Sequence, residues 1–301
     1  MTQHSTALVN CERFCAFSIA LLASPQPDNK TQTMKIYRNV AEIKRKESLG
    51  RRITLGGLAV LFVGLLASFT PSWFPPDQPA ANGLVAFIQS YWAYISFGSL
   101  ALGFLASNIG SYYINRFAPR RWSNTNRIAR PDELIESNLK GFDDKYGLFL
   151  WSLPNAPYLL AGPMGIQIFV VRGDKGQVNV SGDSWKEPFS VGRIFTAFTR
   201  EGLGNPGREV EETKQKVREL LQQGEANKKL AIGAGNVPID GAVVFVHPDV
   251  KLQLDNPTIS VVPVVQLKKV VRTTTKGQQL SSNDVRALVD YLQAVSTVTE
   301  A

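Results

Sequence analysis

The apolar and charged positions change character along the chain. Between Arg52 and Arg116 the only charged residue is Asp77. Two apolar stretches stand out there. Residues 53–69 read ITLGGLAVLFVGLLASF, with the uncharged run continuing to Pro76, and residues 84–109 read LVAFIQSYWAYISFGSLALGFLASNI. Each is long enough to cross a hydrocarbon core as a helix, which takes about 20 residues. The pattern predicts two spans, at about 53–74 and 84–109. The intervening TPSWFPPDQPAANG is rich in Pro and Gly and reads as a turn or short loop.

From about Trp122 the pattern becomes that of a mixed α/β domain, in short apolar runs broken by turn chemistry. Residues 148–153, 158–161, 166–171 and 177–180 predict strands, separated by PNAP, GPMG and RGDKG. Residues 239–246 are apolar apart from Asp240 and predict a central strand, and 259–265 predict another. Helices are predicted at 131–139, 205–221 and 280–292. The first opens with Pro and acids, the second with Asn205 as cap and Pro206 in its first turn, and the third with Ser281 and Ser282. Val210, Val217, Leu220 and Leu221 give the second helix one apolar face; Val285, Leu288, Val289 and Leu292 do the same for the third. The order is helix, three or four strands, helix, strand, strand, helix, which fits one α/β sandwich.

Charge then sets the orientation. The net charge is +8, but residues 1–121 carry 12 Lys+Arg against 5 Asp+Glu, and residues 122–301 carry 21 against 20. The nearly neutral C-terminal part weakens any argument from bulk charge to nucleic-acid binding. Basic residues instead flank the spans: Lys35, Arg38, Lys44, Arg45, Lys46, Arg51 and Arg52 before the first, Arg116, Arg120, Arg121, Arg127 and Arg130 after the second. The connecting loop has no Lys or Arg, so both ends are expected in the cytoplasm and the loop outside, in a multi-pass protein of the cell membrane. Trp73, Phe74, Tyr112 and Tyr113 fall at interfacial levels. No Asp, Glu, Lys, Arg or His lies inside either apolar run, 53–69 or 84–109, which argues against a transporter. Gly56, Gly57 and Gly64 in the first span and Gly98, Gly103 and Gly110 in the second permit close helix approach. Packing within the hairpin accounts for them; association of two copies is the alternative.

The expected organisation is therefore a leader or disordered extension at 1–33, a basic cytoplasmic segment at 34–52, a transmembrane hairpin at 53–121 and a cytoplasmic domain at 122–301. The leader holds a short apolar run at 14–23 and the only cysteines, Cys11 and Cys15, too few for a disulfide framework or a Cys-based zinc site. The two histidines, His4 and His247, do not make a His-rich metal site.

Four segments carry a resemblance. GPMGIQIFVVRGDKGQVNVSGDSW resembles the core of the NERD (nuclease-related) domain family, NPGREVEETKQKVRELL its Asn/Ser-Pro helix, IDGAVVFVHPDVKL its late apolar strand, and LSSNDVRALVDYL its closing helix. The resemblance spans roughly residues 130–295. It implies a restriction-endonuclease-like fold, a mixed sheet flanked by helices in the order α-β-β-β-α-β. It also implies metal-dependent nuclease chemistry, in which an Asp on one strand and a Glu-x-Lys on the next hold a divalent cation that activates water.

This chain departs from that chemistry. Aligned on Gly162-Pro163-Met164-Gly165, the Asp position falls on Pro157 and the Glu-x-Lys on Val170-Val171-Arg172. Neither Pro157 nor Val170 offers an oxygen to a hard cation. The expectation is a catalytically inactive binding or scaffold module at the cytoplasmic membrane face, without a cofactor. Its partners would be the bilayer and an unidentified protein or nucleic acid. The alternative is an active Mg²⁺-dependent nuclease with relocated acids. In that alternative Glu133, Glu136 and Asp174 would supply oxygens, and Arg172 would stabilise charge. Asp174 otherwise reads as a turn residue, Asp240 as a strand-edge residue and His247 as a packing residue. Asp183 lies nearby.

Overall fold

The structure, a computed structural model, describes residues 33–75, 82–122, 128–188, 202–277 and 280–297. The sequence readings on Cys11, Cys15, the 14–23 run, Asp77 and Arg127 lie outside the described residues. The described helices and strands all belong to the unit that begins at Met34.

Two long helices dominate its N-terminal part. Helix α1 spans Val40–Ser68 and helix α2 spans Gly83–Phe117. Asn39 caps the first by accepting from the Glu42 N–H at 2.8 Å, and Asn82 caps the second through the Val85 N–H at 2.9 Å. At 1.5 Å per residue they are about 44 and 52 Å long, more than the ~30 Å hydrocarbon core requires. Both are long and apolar enough to cross a membrane, and only 17% and 11% of their most apolar windows are buried, which is not how core helices of a soluble domain sit. The observed α1 begins well before residue 53, because the basic segment around Lys44–Lys46 continues the same helix. It ends at Ser68, and a separate turn, Thr70–Trp73, follows.

Glycines spaced two turns apart hold the pair together. Gly50, Gly57 and Gly64 on α1 meet Gly110, Gly103 and Ser99 on α2. A Cβ on Gly57 would lie 2.9 Å from the Ala106 Cβ and 3.1 Å from the Gly103 carbonyl oxygen. Gly56 and Gly98 have nothing within 4 Å of where a Cβ would be, so they do not serve this contact. Leu55, Leu58, Phe62, Phe97 and Leu102 are exposed on the outer faces, where a bilayer would cover them. Gly57→Leu should therefore lower stability by about 1–3 kcal/mol through overpacking, and Gly56→Leu should be neutral within about 0.5 kcal/mol. Thermal unfolding of the detergent-solubilised chain measures both, and equal effects would remove the glycine seam as the cause.

The large sheet has six strands: β1 (Lys35–Arg38), β4 (Gly147–Leu153), β5 (Ala156–Gly162), β6 (Gly165–Arg172), β9 (Ile239–Phe245) and β11 (Ser260–Pro263). They lie side by side in the order β1-β4-β5-β6-β9-β11. The strands β4, β5 and β6 form an antiparallel meander, while β1 joins β4, β9 joins β6 and β11 joins β9 in parallel. Gly162 pairs with Gly165 across the Pro163-Met164 turn. Gly165 has φ 89°, and a Cβ there would sit 2.3 Å from the Pro238 carbonyl oxygen, so the turn requires glycine at this point. A small sheet is built from β7 (Gly176–Ser181), β8 (Ser184–Lys186) and β10 (Val250–Asp255), with β7 in the middle. The two-residue strands β2 (Arg120–Arg121) and β3 (Ile128–Ala129) pair with each other.

Helices cover both faces of the large sheet. On one side α3 (Pro131–Asn138) and α5 (Leu267–Thr275) contribute Ile135, Leu267 and Val271 to a core with Leu148, Leu150 and Phe169. On the other, α4 (Pro206–Ala226) and α6 (Ser282–Val295) contribute Val217, Leu221, Leu288 and Leu292 against Phe149, Leu159 and Ile168. Alternation along β6 explains the split, since Ile166 and Ile168 go to one face and Phe169 to the other. The caps predicted at Asn205 and Ser281 form: Asn205 accepts from the Arg208 N–H at 3.0 Å and Ser281 from the Asp284 N–H at 3.2 Å.

Three elements depart from the sequence reading. Lys35–Arg38, read as part of a basic segment, is an edge strand of the large sheet. Residues 264 and 265, read as the end of a strand, belong to a 3-10 turn, Val264–Gln266, that leads into α5, a helix to which the sequence reading gave no assignment. VKLQLD at 250–255 is a strand of the small sheet.

Candidate functional site

A cavity of about 290 Å³ lies where the end of α2 meets the ends of β6 and β9. Its lining includes Asn115 and Arg116 from the last turn of α2, Arg120, Trp151, Pro157 and Tyr158 from the β4–β5 hairpin, Phe169–Arg172 from β6, and Val246 and His247 after β9. Asp174, Lys175 and Glu209 complete its polar part. Strand register brings Pro157 and Val170 to one place. The β5–β6 pairing runs from Gly162 opposite Gly165 to Leu159 opposite Ile168, and just beyond that end both Pro157 and Val170 line the cavity. The two positions singled out by the family resemblance thus share one cavity wall.

Neither position is polar. Val170 is 9% exposed and packs with Val178, Val180, Val210 and Val243. Arg172 follows on the same face of β6 and is 3% exposed; its guanidinium pairs with the Glu209 carboxylate on α4. Lys175 lies 3.6 Å from Asp249. His247 stands edge-on to Trp122 at 5.7 Å, and its Nδ1 accepts from the Asp249 N–H at 3.1 Å. That bond makes Nδ1 the acceptor nitrogen and leaves the proton of the neutral ring on Nε2. Arg120 lies over the Trp122 ring, 4.0 Å from its centroid, and its Nη2 rests so close to Gly173 that a Cβ there would lie 2.1 Å away.

Trp151 ties the cavity to the hairpin. It sits at φ 57° where the β4–β5 register shifts between Leu150 and Leu153. Its ring packs against Phe117 at 4.5 Å and Tyr158 at 5.2 Å, with the Lys46 ammonium 5.5 Å from its centroid. Phe117 closes α2 and Lys46 belongs to α1, so one strained residue touches both helices.

The acids considered for metal binding do not converge. Asp174 lines the cavity, but Glu133 and Glu136 are absent from its wall. Glu133 accepts from the Arg130 N–H at 2.9 Å and pairs with the Arg130 side chain at 3.0 Å; Glu136 pairs with Arg38 at 2.6 Å. Asp183 accepts from the Thr258 hydroxyl, and Asp240 accepts from the Gly241 N–H at 2.7 Å. Among the described residues, no group of three or more His, Cys, Asp or Glu side chains is placed to hold a metal ion.

Sequence reasoning overlooked a buried charge cluster beside the helix acids. Asp132 is 1% exposed and lies 3.0 Å from Arg38 Nε and 3.2 Å from Arg130 Nε. It fastens the edge strand β1 to α3. Burial pushes the Asp132 carboxyl above its ordinary value, against the opposing pull of Arg38 and Arg130. Arg38 Nε and Asp132 Oδ2 approach without hydrogen-bond geometry, which leaves part of the desolvation uncompensated. Glu209, Arg116 and Arg120 were also overlooked as site residues. The sequence offered them only as a helix acid and as topology signals. Comparison of the chain with family models, with curated proteins and with solved structures finds no match in any of the three.

Proposed function

We propose that this chain is a membrane-held, NERD-like domain that binds at the cytoplasmic face and does not cut nucleic acid. The observation that carries the reading is the shared wall of Pro157, Val170 and Arg172. A nuclease of the implied kind needs several oxygens around a cation beside the scissile phosphate. Here an imide ring and an aliphatic side chain occupy the two ligand positions, and the basic one is engaged with Glu209. With the small-sheet strands β7 and β8 set aside as an insertion between β6 and α4, the order α3, β4, β5, β6, α4, β9 supports a restriction-endonuclease-like core.

The test uses the full chain, because a fragment starting at Trp122 would lack β1. Purified in detergent and given DNA or RNA with Mg²⁺ or Mn²⁺, it should produce no cleavage above a protein-free control. Metal-dependent cleavage abolished by Asp174→Ala or Glu133→Ala would establish the relocated-acid nuclease instead.

The orientation has its own test. In a Cys11→Ser, Cys15→Ser background, a membrane-impermeant thiol reagent should label Gln78→Cys on intact cells. Gln222→Cys should react only after lysis. Labelling of Gln222→Cys on intact cells would reverse the assignment that the basic flanks support.

A further inference from the structure

We propose that the cavity at the base of α2 is a phosphate-binding site, filled by a phospholipid headgroup or by a soluble phosphate compound. The proposal rests on the binding function of the preceding section and names the chemistry of its ligand. Four cations line the cavity, Arg116, Arg120, Arg172 and Lys175, against the two carboxylates Asp174 and Glu209. Helix α2 ends here, and the carbonyls of a helix C-terminus repel anions, so side chains must supply the attraction.

Two of the guanidinium groups are fixed in place before any ligand arrives. Arg172 is almost wholly buried beside Glu209. Arg120 is pressed between the Trp122 ring and Gly173, where the missing side chain makes room for it. A guanidinium carries five N–H donors in a planar fork that matches a phosphate in two-point contact. Such preorganisation lowers the ordering loss on binding.

Position supplies the link to lipid. Arg116 lies in the last turn of a helix apolar enough to span a bilayer, with its guanidinium 4.9 Å from the Tyr112 ring. The cavity rim is therefore within reach of headgroup level, while Trp151, Pro157 and Tyr158 offer apolar wall to the rest of a ligand. At about 290 Å³ the space holds a phosphate and a small attached group.

The experiment takes the full chain in a neutral detergent and has two arms. Native mass spectrometry after addition of phosphatidylglycerol or phosphatidylcholine counts retained lipid. Thermal unfolding with inorganic phosphate against equimolar chloride at matched ionic strength reads the soluble arm. Selective retention of phosphatidylglycerol assigns a lipid headgroup, and a saturable rise in unfolding temperature with phosphate assigns a soluble ligand. Either supports the site. Arg120→Gln and the charge-matched double change Arg172→Gln with Glu209→Gln should each weaken binding about tenfold or more, the loss expected for a charge-assisted hydrogen bond. Arg286→Gln, on α6 outside the cavity, should not. Equal retention of both lipids with no phosphate effect in the unmodified chain overturns the proposal whether or not the variants fold. So does binding unchanged in both cavity variants. Nucleic-acid cleavage would fail the non-catalytic reading without altering these readouts, so the two failures are separable.

Discussion

Replacing Asp132 with alanine should cost about 3–5 kcal/mol, the typical loss when one partner of a buried ion pair is removed. The substitution leaves Arg38 and Arg130 facing a void at the junction of β1 and α3. Arg38 keeps Glu136, at 2.6 Å, but the edge strand that enters the sheet ahead of α1 loses its buried tether. In thermal unfolding of the detergent-solubilised chain a loss of this size lowers the midpoint by roughly 6–20 °C. A shift within that of a surface control such as Arg286→Gln would show that the cluster does not hold β1.

The same residue carries a pH signature. The Asp132 carboxyl is raised from its ordinary value of 3.8 by burial. Below 3.8 both the unfolded and native chains hold the proton. As pH rises through 3.8 toward the elevated native value, the unfolded chain releases it first, so the stability this group contributes falls. Asp132→Asn removes that titration while keeping the shape. The difference in stability between the parent chain and Asp132→Asn should therefore be most favourable to the parent at acid pH and shrink toward neutrality. A difference that grows with pH would mean that Arg38 and Arg130 outweigh burial.

Trp151→Ala should be the other large loss, about 3 kcal/mol for an aromatic ring packed between elements. The ring joins Phe117 and Lys46 of the long helices to Tyr158 of the sheet, so its removal should also loosen the hairpin from the domain. The backbone makes a sharper prediction. At φ 57° an alanine keeps the left-handed strain, and a glycine does not. Trp151→Gly should accordingly be less destabilising than Trp151→Ala by about 1 kcal/mol, the reverse of the order expected within a regular strand. Trp151→Phe keeps most of the packing and removes an indole N–H that has no hydrogen-bond partner among the described residues, so it should be the mildest of the three. An alanine variant more stable than the glycine variant would show that the φ strain is not borne by this side chain.

Much of the architecture was legible because it rests on local patterns. The two uncharged runs form helices long and apolar enough to cross a membrane, and the caps at Asn205 and Ser281 announce their helices through one side-chain bond each. The β4–β5–β6 meander was readable from its turn residues, which act within four positions of one another. LKKVVRTTT received no assignment, since its β-branched residues favour strands and only tertiary packing of Leu267 and Val271 makes it a helix. Lys35–Arg38 gave no signal at all. A strand of four residues with charged ends has no periodicity to detect, and its partner β4 lies more than a hundred residues away.

The site divides along the same line. The chain itself determined that Pro157 and Val170 are no metal ligands, because that is a property of residue chemistry. It also determined that basic residues gather where the apolar helices end. Only the tertiary structure decided that these two facts belong to one place. The antiparallel pairing of β5 with β6 brought Pro157 and Val170 to one cavity wall, and packing of Trp151 on Phe117 brought the base of α2 to the same cavity. The structure likewise separated Glu133 and Glu136 from Asp174 by binding them to Arg130 and Arg38. The physical reason is range: caps, turns and hydropathy act within a few residues, whereas a cavity is made by contacts between segments whose meeting depends on the whole core.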